Sequence, residues 1–265
     1  EDRFALPGDR ILEPSLDLVR EILLEPKRVE GIFDPEFVES EKKNLIADIE
    51  SELNDKRSYA ASRMLRSMCA GDSFALSLRG EVADVEAITA QSLYDHYCRV
   101  LTTSPVELFF VGSAEAGQVA NFLMPLAKEL ATEPMTLPAQ TALNLTADER
   151  EFSETMDVNQ GKLSMGFTTP ITNQHPDFAA MQVFNALYGA GMTSKLFMNV
   201  REKLSLCYYA GSGYYGSKGI VTVSSGIDEC NYETAKGEIL RQLELTAAGE
   251  ITEEAEAGCP DGTTI

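Results

Sequence analysis

Positive charge is scarce in this chain. Over 265 residues, 22 lysines and arginines stand against 42 aspartates and glutamates, a formal charge of −20. A surface that grips phosphate needs the opposite balance, so nucleic acid and anionic lipid membranes are excluded as principal partners. Histidine is scarcer still: His96 and His175 are the only two, too far apart for the paired ligands of a helical zinc site, and each reads as structural. The five cysteines, Cys69, Cys98, Cys207, Cys230 and Cys259, contain no C-x-x-C pair. That excludes a zinc knuckle and a disulfide framework and leaves reduced, mostly buried thiols. No apolar run approaches the ~20 residues of a membrane span, and the first residues carry no signal-peptide pattern, so the chain reads as cytoplasmic. The glycine patterns that cradle nucleotide phosphates are also absent.

What is present is ordinary for a globular protein: 44% apolar and 24% charged residues. Helical spacing of Leu16, Val19 and Leu23 predicts a short helix over residues 14–24, packed on one side and stopped by Pro26. Asp34 followed by Pro35 opens a long amphipathic helix running toward Cys69, with Val38, Leu45, Ile49 and Leu53 inward and a solvated acidic outer face. A loop at 71–80, a helix capped by Thr89, a strand at 106–112 and a helix at 116–130 complete a first unit. Residues 133–149 are a proline-bearing linker, separating a first unit (1–132) from a second (150–265). The second unit is expected to hold strands at 150–158, 162–168, 206–215 and 219–226, and helices at 177–187, 193–203 and 232–247. Gly189 to Gly191 reads as a loop that permits close packing. Asp228-Glu229 and the acids at 250–256 read as solvated turns rather than a divalent-ion site. The overall class is α+β, with two units.

Arg201 and Tyr208 stand seven residues apart across a predicted helix-to-strand junction. A guanidinium at a helix end and a phenol on the next strand are two donors on different elements. Together they suit a carbonyl oxygen, most of all one gaining charge. By residue type alone, an arginine in a surface ion pair and a half-buried strand tyrosine are the favoured reading.

Three stretches carry a resemblance: Gly161 to Phe167, Ala190 to Phe197, and Val200 to Tyr209. They resemble the start of the carboxyl-side domain of the pitrilysin/insulinase family of zinc peptidases, and Leu16 to Leu24 through Gly112 resembles the later part of the family's amino-side domain. The resemblance implies insulinase/mitochondrial-processing-peptidase-like domains, with mostly antiparallel sheets and helices packed on one face. It also implies that Arg201 and Tyr208 hold the substrate backbone. Active members carry zinc on H-x-x-E-H with a later glutamate as third ligand. This chain has no H-x-x-E-H; by the family's spacing it would precede Glu1. Glu41 to Asp48 matches the third-ligand helix, yet Asp48 occupies the ligand position and Glu41 lies nearby. Aspartate is one methylene shorter, so without backbone adjustment it would miss zinc contacts of about 2.0–2.2 Å.

The stretch Asn54 to Ala60 is similar to bacterial members that lack the zinc motif. The resemblance therefore implies a catalytically incomplete subunit. It would bind no zinc and carry no catalytic residue of its own, and it would supply Arg201 and Tyr208 to an insulinase-like partner in a hetero- or homodimer that hydrolyses peptides. Two other readings stay open. One is a non-catalytic scaffold or peptide-binding subunit. The other is a fragment of a self-sufficient zinc peptidase, a reading encouraged by the strand-like start at 3–9 and the loss of helical periodicity after Glu254.

Overall fold

The computed structural model describes residues 6, 8, 10–139, 141–143 and 149–251; the expectations for residues 3–9 and for the tail past 251 fall largely or wholly outside them. In chain order the elements are α1 (Leu12–Leu24), β1 (Arg28–Val29), β2 (Ile32–Phe33), α2 (Pro35–Ser51), α3 (Lys56–Met68), α4 (Val82–Ala87), α5 (Ala90–Thr103), α6 (Ala116–Glu129), β3 (Gly161–Thr168), α7 (Phe178–Asn185), β4 (Cys207–Tyr215), β5 (Ile220–Ile227) and α8 (Tyr232–Ala247). Two compact units result: Glu1–Glu50 with Arg79–Pro138, and Ser51–Leu78 with Ala139–Ile265. The division near 138 falls inside the predicted linker. Ser51–Leu78, which the sequence reading leaves in the first unit, groups with the second because α3 packs on β3.

In the first unit, Asp34 accepts from the Glu36 N–H at 3.1 Å and starts α2, and Thr89 and Ser92 form a reciprocal cap on α5. A hairpin unforeseen in the sequence turns at Glu30-Gly31, both with positive φ (52° and 90°), the geometry a two-residue hairpin favours. Phe33 packs edge-on against Tyr94 and Tyr97 with centroids 5.3 and 5.2 Å apart, and the two tyrosine rings lie tilted at 6.0 Å. The predicted strand at 106–112 does not form: no described residue pairs with it, and Phe109 and Val111 are 85% and 98% exposed. Helix α1 meets α6 on one side, where Leu16 and Leu23 are half-buried, but none of its residues is fully buried and Val19 is exposed.

The predicted long helix breaks after α2. Asp55 accepts from the N–H groups of Arg57 and Ser58 at 3.0 and 3.2 Å and from the Ser58 hydroxyl, so it caps a new helix, α3, instead of continuing the old one.

The second unit is built on a three-stranded antiparallel sheet in the order β3-β5-β4. Alternation along β3 aims Leu163, Met165 and Phe167 at a core of Tyr188, Leu196, Val200, Val223, Ile227 and Ile239, roofed by α7, the segment after it, and α8. The opposite face carries Ser164 and Gly166, and α3 lies across it with the Met64 and Met68 sulfurs in the space that a side chain at residue 166 would need. Lys218, in the β4-β5 turn, donates to Asp72 at 2.8 Å and ties the segment after α3 to the hairpin. The strand expected at 150–158 is absent; Glu154 there instead pairs with Arg63 at 2.7 Å and accepts from Tyr59.

Candidate functional site

The chain approaches the Arg201/Tyr208 junction through two wide helical turns. α7 passes into a π-turn at Ala186–Ala190, and a second π-helical segment, Leu196–Lys203, follows. Such turns are rare in general and concentrate at functional sites. Leu196 and Val200, fully buried, anchor the second segment, and Arg201 follows Val200 outward. The segment ends in a tight reversal: Ser205 N–H donates to the Arg201 carbonyl at 3.1 Å and Leu206 N–H to the Val200 carbonyl at 3.0 Å. Ser205 has φ 50°, the left-handed conformation that glycine usually supplies at such a helix end. β4 then pairs Cys207 with Ile227 but Tyr209 with Gly226, leaving Tyr208 as the extra residue of a bulge. A bulge re-aims a side chain, and Tyr208 is 55% exposed while its neighbour Cys207 is buried.

Arg201, Glu202, Ser205, Tyr208 and Asp228 all line one open cleft of about 360 Å³. The Tyr208 hydroxyl donates to the Asp228 carboxylate at a long 3.4 Å. The Arg201 guanidinium lies 4.6 Å from the Phe197 ring centroid, and its Nε is 3.6 Å from the Glu202 carboxylate. Both donors are thus held only loosely. Burial pushes the Cys207 thiol up, so this cleft offers donors and carboxylates but no ready thiolate. Asp228 was passed over in the sequence as a solvated turn. The signal lay in strand pairing: Cys207 opposite Ile227 brings the next residue, Asp228, beside the bulged tyrosine. A second cleft of about 490 Å³ lies farther along β4 and contains neither Arg201 nor Tyr208.

The sequence's other candidates do not assemble. Glu41 and Asp48 lie on the exposed side of α2. His96 and His175 fall in different units, His96 against Arg99 at 2.7 Å and His175 beside Asp177. Among the described residues no three His, Cys, Asp or Glu side chains converge as a metal site requires. The described residues do not fit a zinc centre.

Two α+β units, the second an antiparallel sheet under helices that carries the arginine/tyrosine cleft, have the fold of a peptidase-like protein. Residues 87–255 match the family described as "Peptidase M16 inactive domain", and the chain belongs to that family. The "probable inactive metalloprotease YmfF" of Bacillus subtilis is 37% identical over 248 residues, covering 92% of this chain and 57% of that protein. The crystal structure of a conserved protein from Enterococcus faecalis superposes with a TM-score of 0.84 at 31% identity, over 97% of this chain and 61% of that one. The peptidase M16 inactive domain from Pseudomonas fluorescens gives 0.75 at 17% identity, over 93% and 59%, a likeness of fold alone. The chain thus spans about three fifths of the length of these relatives.

Proposed function

We propose that this chain is the substrate-holding half of a two-part peptidase, in which Arg201 and Tyr208 grip the peptide backbone while a zinc-bearing insulinase-like partner performs the hydrolysis. The observation that carries this reading is the shared cleft, into which a π-helical segment, a left-handed serine and a strand bulge direct Arg201 and Tyr208. The "inactive" description of the family and of the Bacillus relative supports the division of labour. The partner's metal supplies the activated water. On this chain, the Tyr208 hydroxyl exchanges its long bond to Asp228 for a peptide carbonyl, and the Arg201 guanidinium donates to the same backbone, most strongly when that oxygen gains charge.

The test mixes the purified chain with a zinc-bearing relative from the same genome and follows cleavage of an unfolded peptide. Activity is expected only in the mixture. The double variant Arg201→Ala with Tyr208→Phe is expected to lower kcat/KM by about 10²-fold, as lost transition-state donors do, while co-elution of the two chains persists.

The contacts of Tyr208 with Asp228 and of Arg201 with Glu202 favour one alternative, a non-catalytic scaffold in which these groups satisfy each other. Unchanged turnover by the double variant would select it.

A further inference from the structure

Asp228 precedes the short helical turn Glu229–Asn231 that leads from β5 into α8. An aspartate at such a position ordinarily caps, its carboxylate accepting from the N–H groups of the turn that follows. Here it does not. The backbone of Asp228 is extended (φ −80°, ψ 142°), as a cap residue's is, and its carbonyl accepts from the Asn231 N–H at 2.9 Å, yet the side chain makes no capping bond. The carboxylate instead accepts from the Tyr208 hydroxyl at 3.4 Å, in the cleft that both share with Arg201. No cation of the described residues pairs with it, and Arg201 leans on Glu202. An exposed carboxylate that forgoes both the cap and an ion pair is thus held by one bond, far longer than the usual O–H···O length of about 2.7–2.8 Å. Tyr208 has a single O–H to give. Once it donates to a substrate carbonyl, Asp228 loses its one donor among the described residues, and its oxygens face the same substrate. In an extended peptide the N–H and C=O of one residue project to the same side. A donor beside an acceptor, as Tyr208 and Asp228 are, complements that pair of groups, and an ionised acceptor strengthens the bond to the N–H.

We propose that Asp228 is a substrate-binding residue whose carboxylate accepts the backbone N–H of the same substrate residue whose carbonyl Tyr208 holds. The inference rests on the Arg201/Tyr208 reading and adds a selection to it: proline, or any residue without an N–H, is disfavoured at that position of the substrate.

The test replaces substrate amides by esters, which removes one N–H at a time and puts an oxygen lone pair in its place. The chain is mixed with the zinc-bearing relative, the cleaved bond of an unfolded peptide is mapped by mass spectrometry, and an ester is placed in turn at each neighbouring bond except the cleaved one. At one position the ester is expected to lower kcat/KM about tenfold, the scale of a hydrogen bond to a charged group. Asp228→Ala is expected to slow the all-amide peptide by a similar factor and to erase the difference between amide and ester at that position. Asp228→Asn, which can turn its N–H groups toward an ester oxygen, is expected to narrow the difference while keeping part of the amide rate. The ester penalty is expected to persist in Tyr208→Phe, because the carboxylate and not the phenol accepts the N–H; a residue that acted only by holding Tyr208 would lose it there. Circular dichroism verifies that each variant is folded. An ester penalty that survives Asp228→Ala at every position overturns the proposal, as does one that vanishes with Tyr208→Phe, or an all-amide peptide cleaved equally well after Asp228→Ala. Where Arg201→Ala with Tyr208→Phe lowers turnover, those results sink the role of Asp228 alone. Where that double variant leaves turnover unchanged, the Arg201/Tyr208 reading falls and the role of Asp228 falls with it.

Discussion

Single side chains in the second unit are held by contacts whose removal has a sign that physics fixes. Tyr188 is fully buried and its hydroxyl donates to the Ile239 carbonyl at 3.1 Å, while burial drives its pKa far up. Tyr188→Phe removes that bond but leaves the carbonyl its place in α8, so a loss of about 1 kcal/mol is expected in urea unfolding. Gly189 is less forgiving. A Cβ there would stand 2.6 Å from the Ser212 backbone nitrogen and 2.7 Å from Leu196, so Gly189→Ala is expected to cost about 1–3 kcal/mol by overpacking. The sequence reading of that glycine as a close-packing device is what the backbone does. The cysteines divide in the same way: Cys69 and Cys207 are buried with thiols pushed up, whereas Cys230 is exposed. A thiol reagent is expected to mark Cys230 in the native protein and Cys69 and Cys207 only after unfolding, read by mass spectrometry.

At the scale of elements, the reversal between the 196–203 segment and β4 decides where Arg201 and Tyr208 stand. Ser205 adopts φ 50° there. Ser205→Gly is expected to stabilise the chain by up to about 1 kcal/mol, because the left-handed conformation has no Cβ to oppose it. A fall in melting temperature would mean that the serine makes a contact worth more than the strain. Much of this was legible in the sequence. β3 and α8 begin and end within a residue of where periodicity predicts, since each has a long apolar stripe and clear breakers. The break at Asp55 was not legible: both helices flanking it continue a helical pattern, and only the carboxylate's bonds to Arg57 and Ser58 show that the chain restarts. The bulge at Tyr208 was equally hidden, because it is a property of the pairing between β4 and β5 and not of either strand.

For the molecule as a whole, charge and exposed apolar surface set the behaviour. Hydrogen bonds hold several carboxyls below their ordinary range: Arg10 does so for Glu13, Lys27 for Asp34, Ser58 for Asp55, Lys218 for Asp72, Lys236 for Glu151 and Arg63 for Glu154. A carboxyl depressed on folding binds its proton more readily in the unfolded chain. Its contribution is therefore present above the unfolded value near ~4 and is lost as pH falls through the lower folded value. Against this, −20 charges repel one another at neutral pH. The melting temperature is expected to rise from pH 7 toward about pH 5 and to fall steeply below about pH 4, with added salt raising it at pH 7. A melting temperature highest at pH 8 in low salt would contradict this balance. In the first unit, Leu18, Val19 and Ile22 on α1 and Phe109 and Val111 beyond α5 are exposed. These residues are expected to bind a hydrophobic dye in the folded state, as uncovered apolar surface does.

The sequence by itself determined the class and most of the helices: local periodicity, caps such as Asp34 and Thr89, and the Arg201/Tyr208 spacing are written in neighbouring residues. It did not determine which extended segments become strands. Residues 106–112 and 162–168 both read as strands, yet only the second finds β5 to complete its hydrogen bonds. A helix satisfies its own backbone; a strand needs a partner that the sequence does not name. For the same reason the meeting of Arg201, Tyr208 and Asp228 in one cleft was decided only by the tertiary structure.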